Sequence, residues 1–481
     1  MEKNLKRSLI VSIAFVLIII IGKIPAPTNL SQEAMRVLGI FAGCLLLWLA
    51  ISIDWPSIVC IILVGFLPSM NFKSVLSGAF GGETFVFLLA TFLCTYALSQ
   101  TPFLKRCAIT FVTSSLARKG PWYFTISFFA AVIFIGCFMS PTVLFVIFLP
   151  ILEEVYKVLN IQKGDKVGAM LMMGLAFSTS ISSGMTPIAH VFSIMAMAAY
   201  NKATDNVIGY GEYMAFGIPV GILIVIIMIL LFKFVLKVDM SNIKKIDVSH
   251  LRKNMDPFSI RELICILVFM SVICAWVMPS LLKDIFPALH KTLNPYGTAM
   301  PPLIGAVILA IVSVDKKPLL NTVDAMKNGI PWASLLMTAG TLTLGSAMIN
   351  KDIGLSKYLT DSFGANFSNL SPVLIIIIFL TWAAIQTNLS SNMVTVTVVT
   401  AVAIPIALAT NGAVNTPALV SLVGLLASFA FATPPAMPHI ALAGGSGWTS
   451  VAQIFKYGGL LMIISIILSA LVGYPIAASI M

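Results

Sequence analysis

Charged residues are scarce in this 481-residue chain. Asp, Glu, Lys and Arg together make up 10% of the positions, whereas 59% are hydrophobic and the mean hydropathy is +1.02. A soluble enzyme needs far more polar surface than this composition can supply, so that class is excluded. Apolar runs of helical spanning length recur along the chain. The sequence therefore predicts an all-α polytopic membrane protein.

Residues that usually carry catalysis or bind metals are also few. The seven cysteines form no CxxC pair, neither HExxH nor GxSxG occurs, and there are only four histidines. Among eighteen acidic residues, Glu83 alone lies where it could reach depth in a span, and Asp54, Glu153 and Glu154 sit at span or hairpin ends. A carboxylate proton relay or metal site is therefore not expected. We predict no cofactor and no enzymatic activity, and an anion rather than a cation as cargo.

Eleven apolar runs read as spans, and two further segments, 121–158 and 371–411, read as re-entrant hairpins. The spans are 8–22, 36–52, 56–69, 83–100, 166–199, 213–236, 260–279, 296–314, 330–349, 414–447 and 453–478. No small-residue cleavage site follows the first run, so we expect an uncleaved helix. With a cytoplasmic N-terminus and an outside C-terminus, all the basic loops fall inside. Cytoplasmic loops of membrane proteins carry an excess of Lys and Arg. This excess explains the net charge of +11 without a nucleic-acid partner.

Each hairpin is broken by a small polar tip. The tips are Met139-Ser140-Pro141-Thr142 and Ser390-Ser391-Asn392-Met393. An irregular backbone within hydrocarbon leaves amide and carbonyl groups unpaired at a cost of several kcal/mol each, so it persists only where protein or a water-filled cavity receives it. The two breaks therefore indicate a binding site.

The spans 166–199 and 414–447 are longer than a straight crossing needs, and both contain helix-breaking residues. The first holds a Ser-, Gly- and Pro-containing stretch at 178–187, and the second holds the Pro-rich stretch 433–438. Proline removes an amide donor and clashes with the preceding turn, so we expect both helices to open at about half depth. The helix N-terminus exposed by such an opening attracts anions.

The second half of the sequence repeats the first at an offset of about 250 residues. Five spans separate the two hairpins, and because that number is odd, the copies should be inverted relative to each other. Inverted repeats with interrupted helices are typical of secondary transporters. The predicted domains are 1–69 (scaffold), 70–237 (first repeat), 238–259 (cytoplasmic loop), 260–314 (scaffold) and 315–481 (second repeat).

These features together resemble the divalent anion/sodium symporter family, the sodium-coupled dicarboxylate and sulfate transporters. The resemblance covers about residues 30–480. Besides the hairpins it includes Trp48, Trp55-Pro56, Leu104-Lys105-Arg106, Pro331-Trp332 and Gly445-Ser446-Gly447. It implies eleven spans, two re-entrant hairpins, a homodimer built through a scaffold, and an elevator-type transport domain.

The resemblance also implies the site. Family members carry Ser-Asn-Thr at each tip, but the first tip here has Pro141 in place of Asn and the second has Met393 in place of Thr. Ungapped alignment of the flanking residues places His190, and His439 within a residue or two, at the threonines of the family's Thr-Pro-Pro motifs. The predicted substrate-binding residues are Ser140, Pro141, Thr142, Ser390, Ser391, Asn392, Thr186, His190, Thr433, Pro434 and His439. The predicted charge-compensating residues are Ser182, Ser183, Gly184, His190 and His439, with a possible sodium near Ser140, Gly184 and Asn392.

A divalent anion needs compensating positive charge within the membrane. If the protein itself supplies that charge, the empty carrier reorients poorly and the protein exchanges anions. The missing Asn and the two histidines favour sodium-independent antiport, with sodium-coupled symport as the alternative. C4 dicarboxylates or 2-oxoglutarate are the expected cargo, and citrate, sulfate or another oxyanion remain open. An anion channel or an intramembrane enzyme is the alternative from another class. The expected partners are a small anion, the lipid bilayer and a second copy of the chain.

Overall fold

The computed structural model describes residues 2–204, 206–240, 257–282, 296–358 and 370–481, together with 252, 255, 361 and 362. The predicted loop 238–259 lies mostly outside these residues. Within them, the chain is a bundle of helices joined by short connections, with a single two-stranded hairpin in which Ser313 pairs with Pro318. The architecture is that of a polytopic α-helical membrane protein.

Eleven helices make up the described first half of the chain. They are α1 (Glu2–Lys23), α2 (Gln32–Ala50), α3 (Trp55–Gly65), α4 (Phe72–Phe80), α5 (Glu83–Ser99), α6 (Phe103–Val112), α7 (Pro121–Gly136), α8 (Pro141–Val158), α9 (Lys166–Met185), α10 (Val191–Thr204) and α11 (Tyr210–Leu230). Their starts follow ordinary capping chemistry, as at α2, where the Ser31 hydroxyl accepts from the Ala34 amide at 3.0 Å.

Nine helices of seven residues or more make up the described part of the second half. They are α12 (Ile260–Leu282), α13 (Met300–Ile311), α14 (Trp332–Ile349), α15 (Pro372–Leu389), α16 (Asn392–Ala409), α17 (Thr416–Ser428), α18 (Pro438–Gly445), α19 (Val451–Leu468) and α20 (Tyr474–Ile480). The order of long helix, hairpin, interrupted helix and long helix occurs in both halves.

Nine helices in the described part are long and apolar enough to cross a membrane, and four apolar helices of 10–17 residues accompany them. The exposed side chains of α1 and α11 are mostly large and apolar, including Leu9, Val16, Ile222 and Ile226. Such a surface suits lipid rather than water. The predicted membrane class is thereby confirmed.

Both predicted hairpins consist of two helices joined by a very short tip. The first tip occupies residues 137–140, and α8 begins at Pro141, whose fixed φ suits the first position of a helix. The second tip is shorter, because α15 ends at Leu389 and α16 begins at Asn392.

Both long spans are interrupted. The first is broken between α9 and α10 at residues 186–190, and the second between α17 and α18 at residues 429–437, where Pro434–Ala436 form one 3-10 turn. Pro187 and Pro434 lack the amide hydrogen that helix continuation requires. Along α9 every side chain from Gly168 to Met185 is buried, so this helix forms the centre of the bundle.

Two predicted spans are markedly shorter in the structure. Span 56–69 ends at Gly65, because Pro68 disfavours a helical conformation at the residue before it. Span 296–314 is helical only from Met300 to Ile311, after which the chain enters the small β-hairpin. The short helices α4 and α6 were not predicted, since each is too short or too charged to resemble a span.

Candidate functional site

The two interrupted helices meet in the centre of the bundle. The hydroxyl of Ser180, on α9, lies 2.7 Å from Nε2 of His439 and donates to the Ala430 carbonyl at 3.3 Å. Ser180 and His439 are fully buried. His439 lies in the first turn of α18, and Ala430 lies in the break before that helix, so these bonds bring the first interrupted helix against the second.

Gly184 makes this approach possible. A Cβ atom added at Gly184 would lie 2.8 Å from the Phe429 ring and 3.0 Å from Cβ of Ser428. Both neighbours belong to the second interrupted helix. A side chain at this position would therefore force the two helices apart.

Each break is also attached to its own hairpin by the same hydrogen bond. The hydroxyl of Thr186 donates to the Cys137 carbonyl, and the hydroxyl of Thr433 donates to the Asn388 carbonyl. Cys137 and Asn388 lie at the ends of α7 and α15, where a helix leaves carbonyls without intrahelical partners. The two predicted threonines thus join break to hairpin in both halves.

Asn388 is the residue that sequence reasoning missed. Its Oδ1 accepts from the amides of Phe431 and Ala432 at 2.8 and 2.7 Å. Its Nδ2 donates to the Phe429 carbonyl at 3.2 Å and to the Ala384 carbonyl at 2.8 Å. The side chain therefore satisfies three backbone groups that the break leaves free and adds a fourth hydrogen bond within α15. The sequence signal was weak, because Asn388 is one of several polar residues in this mainly apolar arm, with Thr381, Gln386 and Thr387.

At the second tip, Asn392 is buried and its Nδ2 donates to the Ala427 carbonyl on α17 at 2.8 Å. Ser391 is half-buried and occupies the N-cap position of α16, where its side chain makes no capping bond. The Ser390 hydroxyl donates to the Gln386 carbonyl at 3.0 Å. Of the three predicted tip residues, Ser391 thus keeps the least committed polar group.

The first tip differs in its polar groups. Ser140 is half-buried at the N-cap of α8 without a side-chain capping bond, and Pro141 is buried. Thr142 is exposed on α8. The structure therefore places Ser140, but not Thr142, towards the packed interior, and no side-chain amide stands at this tip.

Each predicted histidine keeps a ring nitrogen without a partner. Nδ1 of His439 and Nδ1 of His190 are buried and make no hydrogen bond with the described residues. The His190 ring lies 3.9 Å from the ring of Phe192, and the His439 ring lies 6.2 Å from that of Phe145 on α8. No ion pair joins a described carboxylate to either imidazole. These two nitrogens are therefore polar atoms of the predicted site that the described protein leaves unbonded.

The residues predicted to compensate charge are engaged with the protein itself. The Ser182 and Ser183 hydroxyls donate to the carbonyls of Thr179 and Ser180 at 3.0 and 2.8 Å. The Gly184 carbonyl accepts from the Tyr213 hydroxyl at 2.9 Å. The serine oxygens retain lone pairs that could face a cation. The described residues contain no cluster of three His, Cys, Asp or Glu side chains arranged to hold a metal.

Cavities of different size lie beside the interrupted helices. A cavity of about 950 Å3 lies between the second arm of the first hairpin, α8, and the second half of the second interrupted helix, α18. A smaller cavity of about 60 Å3 lies between α10, α14 and α16. Tyr156 and Trp448, whose ring centroids are 3.9 Å apart, line the larger cavity.

The sequence matches one family model over nearly its whole length. The family model described as the sodium:sulfate symporter transmembrane region matches residues 3–478. The sodium-dependent dicarboxylate transporter SdcS of Staphylococcus saprophyticus is 22% identical over 465 residues, covering 93% of this chain and 87% of that protein. SdcS of Staphylococcus aureus is 22% identical over 471 residues, with the same coverage of 93% and 87%.

Two solved structures share the fold. The YdaH transporter of Alcanivorax borkumensis has a TM-score of 0.55 at 11% identity, covering 92% of this chain and 98% of its own. MtrF of Neisseria gonorrhoeae, described with a class of antimetabolite efflux pumps, has a TM-score of 0.54 at 13% identity, covering 96% and 94%. At these identities the likeness concerns the fold alone. These relatives and neighbours are transporters, which supports the prediction that the chain is not an enzyme.

Proposed function

This chain is a membrane transporter that belongs to the sodium:sulfate symporter family, and from that premise we propose that it carries C4 dicarboxylates or 2-oxoglutarate. The observation that carries the proposal is the junction of the two interrupted helices at Ser180, Ala430 and His439. The names of the SdcS relatives support dicarboxylates as the cargo.

The polar groups at this junction suit carboxylates. Hydroxyl and amide groups bind an oxyanion without a fixed charge at depth, and an imidazole bonded through one nitrogen to the protein does so when its other nitrogen is also protonated. Ser140, Ser391 and the free ring nitrogens of His190 and His439 are the groups we assign to the substrate. Asn392, Thr186 and Thr433 then shape the site, because their side chains also bind backbone carbonyls.

Transport proceeds by alternating access in this proposal. The two hairpins and the two interrupted helices, within 70–237 and 315–481, form an inverted repeat that moves as an elevator against 1–69 and 260–314. The scaffold forms a homodimer in the plasma membrane, with the N-terminus cytoplasmic and the C-terminus outside.

Whether transport is coupled to sodium depends on which group balances the charge of the anion. Pro141 replaces the first tip's amide, and this supports sodium-independent exchange, as inferred from the sequence. Sodium-coupled symport is the second candidate, and it is favoured by the sodium dependence in the names of the SdcS relatives. In both cases Ser140, Gly184 and Asn392 would lie near the compensating charge.

Counterflow in proteoliposomes tests the proposal. We expect labelled succinate to enter vesicles loaded with succinate in the absence of sodium, and to enter empty vesicles poorly. Uptake that requires external sodium and no internal anion would instead establish symport. A flux that does not saturate and shows no trans-stimulation would identify a channel. Absence of any dicarboxylate flux, with citrate or sulfate accepted, would overturn the cargo assignment.

Site variants test the residues. Ser391→Ala and Asn392→Ala should abolish transport with little loss of folding, whereas Ser479→Ala, at an exposed serine of α20, should transport normally. Thermal-shift screening with succinate, 2-oxoglutarate, citrate and sulfate, with and without sodium, ranks the ligands independently of flux. Full activity of both tip variants would remove the site assignment.

A further inference from the structure

A second polar cavity, of about 270 Å3, lies between the last turn of α10, the C-terminal half of α14 and the start of α4. Its polar lining includes hydroxyl and amide side chains, namely Ser69, Asn71, Ser74, Thr343, Ser346 and Asn350. Among the described residues that line it there is no Asp or Glu. The Ser69, Ser74 and Ser346 hydroxyls donate within the protein, whereas the Asn71 amide nitrogen and the Thr343 hydroxyl donate to none of the described residues. A lining of neutral polar groups that keeps these two donors and has no carboxylate suits an anion better than a cation.

The ammonium group of Lys202 reaches this cavity from α10. Its Nζ donates to the Leu342 carbonyl at 3.2 Å and to the Ser346 hydroxyl at 2.5 Å. Both acceptors are neutral, and no carboxylate of the described chain lies within ion-pair distance of Nζ. An ammonium group has three N–H donors, so these two bonds leave one for a ligand.

The nearby carboxylates are engaged elsewhere. Glu33 accepts from the amide and hydroxyl of Ser69 at 2.8 and 2.6 Å. Glu83 lines an adjoining cavity of about 330 Å3, which Lys202 also lines, and it accepts from the Thr298 hydroxyl at 2.8 Å. Neither acid forms an ion pair with Lys202, whose charge therefore remains uncompensated within the described structure.

We propose that this cavity is an entry site for the anionic cargo, at which Lys202 and the surrounding hydroxyl and amide groups bind an oxyanion, either a carboxylate of the substrate or a sulfate. The inference rests on the proposed function. His190 immediately precedes α10 and Lys202 lies in its last turn, so an anion held here is at one end of the helix whose other end is at the central site. A fixed positive charge at such a position raises the local concentration of dianions and their rate of association.

Transport kinetics test the role of Lys202. Initial rates of succinate and sulfate uptake would be compared for Lys202→Met, Lys202→Arg and Lys351→Met. Lys351 is an exposed lysine just beyond α14 and outside the cavity, so its loss is the matched control for net charge. We expect Lys202→Met to raise KM for the accepted anion about tenfold, with kcat within about twofold of wild type. Lys202→Arg should retain most of the affinity, and Lys351→Met should behave as wild type.

The dependence of KM on salt concentration is a second test of the Lys202 charge. Added KCl should raise KM of the wild type more than that of Lys202→Met, because screening weakens an attraction that the variant has already lost. An unchanged KM in Lys202→Met would overturn the proposal. A lower kcat at constant KM would also overturn it, because that pattern identifies a contact that only holds α10 against α14.

A binding measurement separates this inference from the proposed function. Equilibrium binding of labelled succinate would be measured in a Ser391→Ala variant, in which the central site is impaired. We expect residual binding that sulfate displaces, that neutral succinamide does not displace, and that an added Lys202→Met change removes. Absence of residual binding, or residual binding insensitive to Lys202→Met, would contradict the inference. If the wild type transports no anion, the proposed function fails, but Lys202-dependent binding still supports the entry site.

Discussion

The two halves of the chain join hairpin to interrupted helix with different chemistry. In both, a threonine of the break, Thr186 or Thr433, binds a carbonyl at the end of the first hairpin arm. In the second half Asn388 adds four hydrogen bonds, whereas Cys137, at the corresponding place in the first half, has no polar side chain of comparable capacity. The shared bond maintains the architecture, and the added amide fixes the second hairpin more firmly to its helix.

The segments that precede the hairpins differ in the opposite sense. In the first half Arg106 forms an ion pair with the fully buried carboxylate of Glu262, at 2.8 Å for Nε–Oε1 and 3.1 Å for Nη2–Oε2. Lys357, in the corresponding segment of the second half, is exposed and forms no ion pair with the described residues. The first half is thus held by an ion pair ahead of its hairpin, and the second half by an amide near its hairpin tip. Four predictions test this contrast, in order of decreasing effect.

The largest effect should come from the ion pair. Arg106→Met should lower the free energy of unfolding by about 3–5 kcal/mol, because Glu262 would remain buried without a partner. Lys357→Met should change it by less than about 0.5 kcal/mol. Thermal unfolding in detergent micelles would compare the stabilities of the two variants. If the double variant Arg106→Met/Glu262→Met is as unstable as the single one, the loss does not come from the unpaired charge.

The second effect concerns the tips. Asn388→Ala should cost about 3 kcal/mol, because the amides of Phe431 and Ala432 lose their acceptor. It should also reduce transport strongly. The matched change Cys137→Ala removes a side chain with much less hydrogen-bonding capacity and should cost about 1 kcal/mol. Equal losses in the two variants, measured by the same unfolding assay, would mean that the halves are not differently anchored.

A third, smaller effect should be the same in both halves. Thr186→Val and Thr433→Val each remove one hydrogen bond to a backbone carbonyl while keeping the shape of the side chain, so each should cost about 1–2 kcal/mol. This stability cost is measured from the unfolding midpoints of the two variants. Thr110→Val, on the exposed face of α6, is the control. A large loss in one half only would show that the shared bond is not structurally equivalent.

The smallest effect on stability should come from making the tips alike. Pro141→Asn should lower stability by only about 0.5 kcal/mol, through the greater freedom of the unfolded chain. It should introduce sodium stimulation of succinate uptake, because it restores the amide that the resemblance associates with the sodium-coupled members. Uptake by this variant that is as independent of sodium as that of the wild type would separate the first tip from coupling.

Much of this fold could be predicted from sequence because the membrane imposes simple patterns. Apolar runs defined the spans, and the polar tips at Ser140 and Ser391 marked the hairpins. Pro187 and Pro434 marked the interruptions, since proline cannot donate the helix hydrogen bond. The short helices α4 and α6 escaped prediction, because neither is long or apolar enough to read as a span.

The interior of the site could be predicted only in part. Thr186, Thr433 and His439 were named in advance, but their partners were not. Asn388 binds backbone groups more than 40 residues away, and Ser180 binds the break of the other half, 250 residues away. Nothing local distinguishes such residues from ordinary polar side chains in a helix. Only the packing of the two halves reveals them.

The central claim is that both halves converge on one dianion site, and substrate protection tests it most directly. Ser140→Cys and Ser391→Cys would be made separately in a cysteine-free background and labelled with a membrane-impermeant maleimide in inside-out and right-side-out vesicles. We predict that succinate protects both positions with the same half-maximal concentration, whereas succinamide protects neither. Protection of one position only, or of neither, would contradict a shared site.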